Sequence, residues 1–369
     1  MSELQNPCVC VCVYTVTLFY TLGVEWDSTP SQPTDPITPP PVHPTSLVSS
    51  FVSTSRERRE VVAAIGPQWS WHEVWLIAAG GTLLLAFPSV LATAFAGFYL
   101  ALWFVLWSFI LRGVSIEVGG HIHDRLWQSW WDFVFAMSSV MLAVLFGAAL
   151  GNVIRGVPLD ASGTFSIPLF TDFGVRGRVG ILDWYTVSVA VFTTVLLAAH
   201  GATYLRLKTE GQLRERSARL ARRLWAAVLV LLPFISLETW VVRPELYVAI
   251  TGRPAGWLAV GVLLVGAWAL VTGLRGTAEW RAFEGSCTVI VGLLAGAAVG
   301  VFPVMLRSTI APEHSLTAYG GASPANGLAL ALIWWPVALV LALTYFLVVV
   351  RQFAGKVRAT VNPQGPAHG

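Results

Sequence analysis

The stretch GPQWSWHEVWLIAAGGTLLLAFPSVLATAFAGFYLALWFVLWSFILRG, residues 66–113, decides the fold of this 369-residue chain. It is apolar without interruption from Val74 to Leu111, which is too long for one membrane helix of about 20 residues. Pro88 is the natural break, because proline lacks a backbone N–H and clashes with the preceding helical turn. The stretch therefore predicts two membrane helices that turn at Pro88.

The composition of the whole chain indicates a membrane protein. Hydrophobic residues make up 55% and charged residues 12%, and the mean hydropathy is +0.67, so there is too little polar surface to cover a soluble globule. A net charge of only +3, with the basic residues in short loops, argues against a nucleic-acid-binding face. We predict an all-α polytopic membrane protein whose bundles contain about eight transmembrane helices, near residues 72–87, 89–111, 129–153, 182–205, 224–242, 256–274, 285–306 and 327–350.

Three segments follow from the composition along the chain. Residues 1–55 contain an atypical apolar leader and a proline-rich stretch that we expect to be disordered. Residues 56–356 form the membrane domain, and residues 357–369 form a tail that we expect to be cytoplasmic. The motif of Cys8, Cys10 and Cys12 has no histidine or second cysteine pair nearby, so an apolar leader is favoured over a metal site.

The distribution of basic residues predicts the orientation. With a turn at Pro88, one side of the membrane receives 17 of the 23 Lys and Arg residues, in 56–59, 112–125, 206–223, 275–281 and 351–358. A single crossing would give 14 against 9. The positive-inside rule therefore favours the hairpin and places the 206–223 loop and the C-terminus in the cytoplasm.

Charged residues are scarce within the predicted spans. Asp132, Asp183, Glu238 and Glu279 lie within a turn or two of predicted helix ends, where we expect water or headgroups to solvate them. No two histidines share a span, as paired haem ligation would require, and we expect His200 to cap the end of its helix or to bond to the following loop. The residues therefore predict that this chain binds no metal and no cofactor.

A packing motif is clearer than any catalytic one. Gly292, Gly296 and Gly300 recur every fourth residue and give one smooth face of a helix, which lets a neighbouring helix approach closely. This predicts a helix contact, either within the chain or with a partner.

Five separated stretches resemble subunit II of cytochrome bd-type quinol oxidases. They are residues 66–113 quoted above, WQSWWDFVFAMSS (127–139), GAALGNVIRGVPLD (147–160), HGATYLRLKTEG (200–211) and FPVMLRSTIAPEHSLTAYGGASP (302–324). The resemblance runs in order through residues 56–356. It implies a subunit of a terminal oxidase in a prokaryotic cell membrane, in a complex that oxidises quinol and reduces oxygen to water.

The resemblance also implies a partner and a division of labour. Subunit I of such oxidases holds two b-type haems, one d-type haem and the quinol site, whereas subunit II has nine membrane helices and normally no haem ligands. Subunit II supports subunit I and is thought to help form a proton path from the cytoplasm. The first helix of the family, with its Gly-Phe-Asp-Leu-Gly signature, is missing or replaced in this chain.

The expected entrance of the proton path departs from the family pattern. Where relatives commonly have Trp-Asp-Gly-Asn followed by Glu or Gln, this chain has Ser70, His72 and Glu73. A serine hydroxyl orders water but does not hold a proton as a carboxylate does. The proton-path candidates are therefore Glu73, His72 and Ser70, with the role falling on Glu73 or His72.

Two alternatives stay open from the residues. The stretch from Trp69 to Trp75 either loads protons or serves only as a membrane anchor and subunit contact. Without the resemblance, eight helices with glycine-lined faces would also suit a small-solute transporter or a purely structural membrane subunit.

Overall fold

The computed structural model describes residues 71–119, 121–122, 124–175, 177–352 and 355–356, together with Val61 and Ala64. Seven of its helices are long and apolar enough to cross a membrane, and the bent pair of helices at residues 74–97 raises this to eight. This confirms the predicted all-α polytopic fold. The helices are α1 (Trp71–Ala86), α2 (Pro88–Gly97), α3 (Tyr99–Gly119), α4 (Arg125–Arg155), α5 (Trp184–Lys208), α6 (Gly211–Val242), α7 (Pro244–Thr251), α8 (Pro254–Arg275), α9 (Glu279–Val301) and α10 (Ala325–Gln352).

The chain breaks at Pro88, as predicted. Val74–Ala86 and Pro88–Gly97 are bent by 120° relative to each other, and Pro88 takes the first position of α2, where its missing N–H costs nothing. Ser323 satisfies carbonyls left open at the end of α1, since its amide donates to the Ala86 carbonyl (2.9 Å) and its hydroxyl to that of Leu85 (2.5 Å). The break is therefore stabilised from a distant part of the chain.

The second predicted helix, residues 89–111, is in fact two helices. Phe98 leaves helical geometry (φ −96°, ψ 20°) between α2 and α3. Beside it, Gly97 lies so close to the Phe165 ring that a Cβ atom would overlap the ring. The loop that packs there explains the break, and sequence periodicity carries no sign of it.

The basic segment 206–223 is helical rather than a loop, which corrects the sequence prediction. α5 continues to Lys208, and α6 starts at Gly211, thirteen residues before the predicted start of its span. The first turns of α6 are amphipathic, with Leu213, Ser217 and Ala221 buried at helical spacing. We therefore see α6 as a membrane span extended by a polar, arginine-rich end.

The helix predicted at 285–306 ends earlier, at Val301. The segment that follows contains strand β1 (Val304–Leu306), which pairs antiparallel with β2 (Leu316–Thr317). Together with residues 156–183 it forms a layer over one end of the bundle, which we call the cap. Its core contains Val157, Leu159, Phe165, Ile167, Ile181 and Leu306.

The two ends of the bundle are distinct. At the cap end, Arg155, the start of α5 and the start of α10 lie beside the cap. At the opposite end, Lys208 donates to the Gly355 carbonyl (3.2 Å) and Lys356 to the Thr209 carbonyl (3.3 Å), which brings the end of α5 to the end of the described chain. We call this opposite end, where α6 and α9 begin, the basic end.

Candidate functional site

The predicted proton-path residues belong to the start of α1. Ser70 lies outside the described residues, and His72 and Glu73 form part of the first turn of α1, although their side chains lie outside what the structure describes. α1 spans about 24 Å at 1.5 Å per residue and reaches the cap at Pro88. Its first turn therefore lies toward the basic end, where unsatisfied N–H groups favour a carboxylate.

Ion pairs and arginine–carbonyl hydrogen bonds join the helix ends at the basic end. Glu279, in the first turn of α9, accepts from Arg214 Nε of α6, and its other carboxylate oxygen lies 3.1 Å from Lys356 Nζ. The Glu279 side chain is 12% exposed, so this network is largely shielded from water. Arg206 of α5 donates to the carbonyls of Gly273 (3.3 Å) and Gly276 (2.8 Å) at the end of α8. Together these contacts fix the ends of α5, α6, α8 and α9 against each other.

His200 does not lie at the end of its helix, where the prediction gave it a capping or loop-bonding role. It lies two turns before the end of α5, is fully buried, and its Nδ1 atom is 2.7 Å from the Ser286 hydroxyl of α9. Its ring stacks on Phe283, with ring centroids 5.4 Å apart. The helix continues for another two turns beyond His200. The His200 side chain lies where α5 contacts α9. It therefore joins two helices within the membrane domain.

A second buried network holds the cap to the bundle. Arg155, the last residue of α4, forms an ion pair with Asp183 and donates to Asn152 Oδ1 (2.6 Å) and to the Gly180 carbonyl (3.0 Å). Asn152 Nδ2 donates in turn to the Ile181 carbonyl (2.9 Å). The network therefore joins the end of α4 to the cap and to the start of α5.

Asp183 also caps α5. Its Oδ1 atom accepts from the Thr186 amide (2.9 Å), and the Thr186 hydroxyl accepts from the Asp183 amide (2.8 Å), which is a capping box. One carboxylate thus neutralises a buried arginine and satisfies a helix start.

The expectation that all four helix-end carboxylates are solvated is wrong for two of them. Asp183 is 5% exposed, and Glu279 is mostly buried in its network. Asp132 and Glu238 are half-buried. The physical reason is that arginines of other elements form ion pairs with Asp183 and Glu279. These ion pairs offset the cost of removing the carboxylates from water.

Two further arginines cap helices that are not their own. Arg243 donates to the Ile154 carbonyl (3.0 Å) near the end of α4. Arg253 donates to the carbonyls of Val299 (2.6 Å) and Phe302 (2.7 Å) at the end of α9. Burial lowers the pKa of Arg243, and the carbonyl dipole at a helix end favours its charged form. Sequence reasoning missed these roles, because each arginine caps a helix end that is 46 or more positions away in the sequence.

The three glycines of the predicted packing face differ in their surroundings. A Cβ at Gly292 would lie 2.7 Å from the Leu263 amide nitrogen of α8, and one at Gly300 would lie 2.6 Å from Leu246 Cγ of α7. A Cβ at Gly296 would meet no atom within 4 Å. Gly266 of α8 also packs against α9, since its Cβ would lie 2.7 Å from the Val289 amide nitrogen. The close contact is thus shared between glycines of α8 and α9.

His200, Met137 and Met141 are not placed to hold a haem within this chain. Among the described residues, no group of three or more His, Cys, Asp and Glu residues could hold a metal ion. The His200 ring stacks on Phe283, its Nδ1 atom is hydrogen-bonded to Ser286, and the residue has no exposed surface, so no macrocycle could lie against it. Met137 and Met141 are exposed on the outer surface of α4. These residues bind neighbouring helices or face outward.

Fold and site together define a multi-pass membrane subunit whose buried charges join helices. The family model for cytochrome bd terminal oxidase subunit II matches residues 45–353, and the chain belongs to this family. This confirms the resemblance noted over residues 56–356.

Individual relatives agree with the family match. The chain is 29% identical over 328 residues to a probable cytochrome oxidase subunit 2 of Haemophilus influenzae, covering 82% of this chain and 85% of that protein. It is 28% identical over 297 residues to the cytochrome bd-I ubiquinol oxidase subunit 2 of Escherichia coli strain K12, covering 72% and 76%. The structure of bd oxidase from Geobacillus thermodenitrificans matches with a TM-score of 0.66 over 94% of both chains, at 14% identity, which is a likeness of fold.

The chain is therefore subunit II of a cytochrome bd-type terminal oxidase, an oxidoreductase complex that carries haem. It is a multi-pass protein of a bacterial plasma membrane and works beside a partner subunit.

Proposed function

We propose that this chain supports a haem-bearing subunit I that carries two b-type haems and one d-type haem, in a complex that oxidises quinol and reduces oxygen to water. The observation that carries the proposal is the uneven burial of the spans. Only 17% of the Tyr99–Gly119 span and 6% of the Ala325–Tyr345 span are buried, compared with 61% of Trp184–Lys208. The α6 span is also only 17% buried, but its exposed face carries arginines, whereas the outer faces of α3 and α10 are wide apolar surfaces on which we place the second membrane subunit.

The first experiment asks where the haem lies. The chain is expressed with and without subunit I, and each purified sample is examined by visible absorption. We expect haem bands only in the sample with both subunits. A colourless, self-sufficient homo-oligomer that moves a solute across vesicles would instead support the transporter alternative.

We further propose that the basic end faces the cytoplasm and that the first turn of α1 admits protons there. The orientation is supported by the positive-inside count and by the clustering of Arg206, Lys208, Arg214 and Lys356 at one end of the bundle. Glu73 would hold the proton, His72 would pass it on, and Ser70 would order water. When bound, the haem of subunit I supplies the oxygen chemistry, to which this chain contributes proton delivery.

Replacing Glu73 with Gln tests the proton role. Loss of a positioned proton donor typically costs 10²–10⁴-fold when transfer limits the rate, so we expect oxygen uptake by the assembled complex to fall at least about tenfold. The haem spectrum should not change. Glu215→Gln is the matched control, because Glu215 is an exposed carboxylate in the first turns of α6 and should leave turnover intact.

The double variant Ser70→Asp/Glu73→Gln distinguishes proton loading from anchoring. The added aspartate, which the family commonly has at this position, should recover part of the oxygen uptake lost in Glu73→Gln alone. If Glu73→Gln leaves turnover unchanged but lowers the yield of assembled complex, the stretch is an anchor and subunit contact instead.

A further inference from the structure

The exposed residues on one side of α6 form a continuous stripe. They are charged near the start of the helix and mainly apolar further along it. Exposed residues recur every three or four positions along it, which puts them on one side of the helix. Leu229 is 71% exposed, Leu237 64% and Trp240 52%. The stripe comprises Glu215, Arg219, Arg222, Ala226, Leu229, Pro233, Leu237 and Trp240.

The length of the stripe matches a bilayer. Arg222 and Trp240 are eighteen residues apart, or about 27 Å at 1.5 Å per residue, close to the roughly 30 Å of bilayer hydrocarbon. Tryptophan prefers the headgroup layer. With Trp240 in that layer at the cap end, Arg219 and Arg222 reach the headgroup layer at the basic end.

The charges near Arg222 are not balanced within the described chain. Arg206 interacts electrostatically with Arg214, Arg222 and Glu279. Residues 206–223 contain seven Lys and Arg residues but only two carboxylates, Glu210 and Glu215, so the surface keeps an excess of positive charge. Glu279 is already bound by Arg214 and Lys356. Arg219 and Arg222 themselves make no hydrogen bond or ion pair with any residue that the structure describes. An anion is the missing complement of this surface.

We propose that Arg219 and Arg222 bind the phosphate of an anionic phospholipid whose acyl chains lie along Leu229 and Leu237. A guanidinium group can donate two parallel hydrogen bonds to phosphate oxygens. A lipid fits better than a soluble anion, because the apolar stripe directly below the arginines gives its chains a surface. The proposed site lies on the exposed side of α6, next to the ionic network around Glu279.

Native mass spectrometry of the complete two-subunit oxidase tests the site. The complex is delipidated in detergent and titrated with phosphatidylglycerol or with phosphatidylcholine. We expect Arg219→Gln/Arg222→Gln to weaken binding of one phosphatidylglycerol by roughly 30-fold, at about fivefold per arginine. Phosphatidylcholine binding should not change. Arg219→Lys/Arg222→Lys keeps the charge and should retain most of the affinity.

Arg178→Gln is the matched control, since Arg178 is an exposed arginine in the cap. It removes one positive charge, as each of the two substitutions in α6 does. It should bind phosphatidylglycerol as the wild type does. Equal binding by the wild type and the double Gln variant would overturn the proposal, as would inorganic phosphate competing with the lipid at millimolar concentration. Loss of subunit I from both the Gln and the Lys double variants would show that the stripe is a protein interface instead.

Discussion

Replacing Arg155, the last residue of α4, with Met should destabilise the protein more than substitution of any arginine in the cap. The guanidinium is buried and bonds to Asp183, Asn152, Gly180 and, through Nε, the Gly156 carbonyl (3.2 Å). Methionine fills a similar volume but leaves the Asp183 carboxylate with only its capping hydrogen bonds from Thr186 as compensation.

The expected magnitude follows from these contacts. Breaking a buried ion pair by removing one partner costs about 3–5 kcal/mol, because the other charge stays buried. The shift per kcal/mol is roughly 2–4 °C for a domain of 150–250 residues and smaller for this 369-residue chain, so Arg155→Met should lower the melting temperature by roughly 5 °C. Asp183→Asn should also destabilise, although asparagine keeps the cap of α5. Arg155→Met/Asp183→Asn removes both charges and should melt higher than Arg155→Met alone.

The assay is size-exclusion chromatography of the assembled oxidase after heating to a series of temperatures. Arg178→Met is the control, since that side chain is exposed in the same cap and should shift the midpoint by about 2 °C or less. Equal midpoints for the Arg155 and Arg178 variants would refute the reasoning. So would a double variant whose loss equals the sum of the two single losses, because the charges would then be independent.

The remaining predictions concern packing, capping and pH. Gly292→Leu should separate α8 from α9 and lower the free energy of unfolding by about 1–3 kcal/mol. Gly296→Leu, whose Cβ has open space, should leave the melting temperature unchanged. If subunit I packs at Gly296, this variant should instead reduce assembly of the complex. Arg253→Gln should lower the melting temperature by a few degrees, since it weakens a charged cap at the end of α9. Hydrogen bonds from Ser162 and Thr164 lower the pKa of Asp160, so its turn should be equally ordered from neutral pH down to about pH 4 and lose order only below. Hydrogen exchange of the 160–164 peptide would show this, and Asp160→Asn should remove the pH dependence.

The sequence was sufficient to predict the all-α membrane fold and the break at Pro88. Continuous apolar runs predict spans because about 20 residues must cross the bilayer, and Pro88 predicts the turn because proline ends a helix. The same reasoning predicted both ends of α8 and of α10 to within two residues of their positions in the structure. What it missed depends on contacts distant in sequence, such as the break at Phe98, which the cap residue Phe165 explains.

The candidate site was less predictable for a similar reason. A carboxylate at a predicted helix end suits either water or an arginine from another element, and only tertiary structure distinguishes them. Asp183 and Arg155 are 28 positions apart, and Glu279 and Arg214 are 65 apart. Hydropathy scales treat each residue alone and therefore assign both carboxylates to solvent.

The minority of basic residues at the cap end now has a physical explanation. Six Lys and Arg residues fall on that side by the sequence count, and most of those described are bound by the protein. Arg155 pairs with Asp183, Arg243 and Arg253 cap helices, and Arg307 lies 3.8 Å from Glu245. An arginine whose charge is already compensated within the fold is less able to specify orientation than one exposed to headgroups. The same holds for Arg206, Lys208, Arg214 and Lys356 at the basic end, so the exposed arginines at the start of α6 are the ones expected to specify orientation.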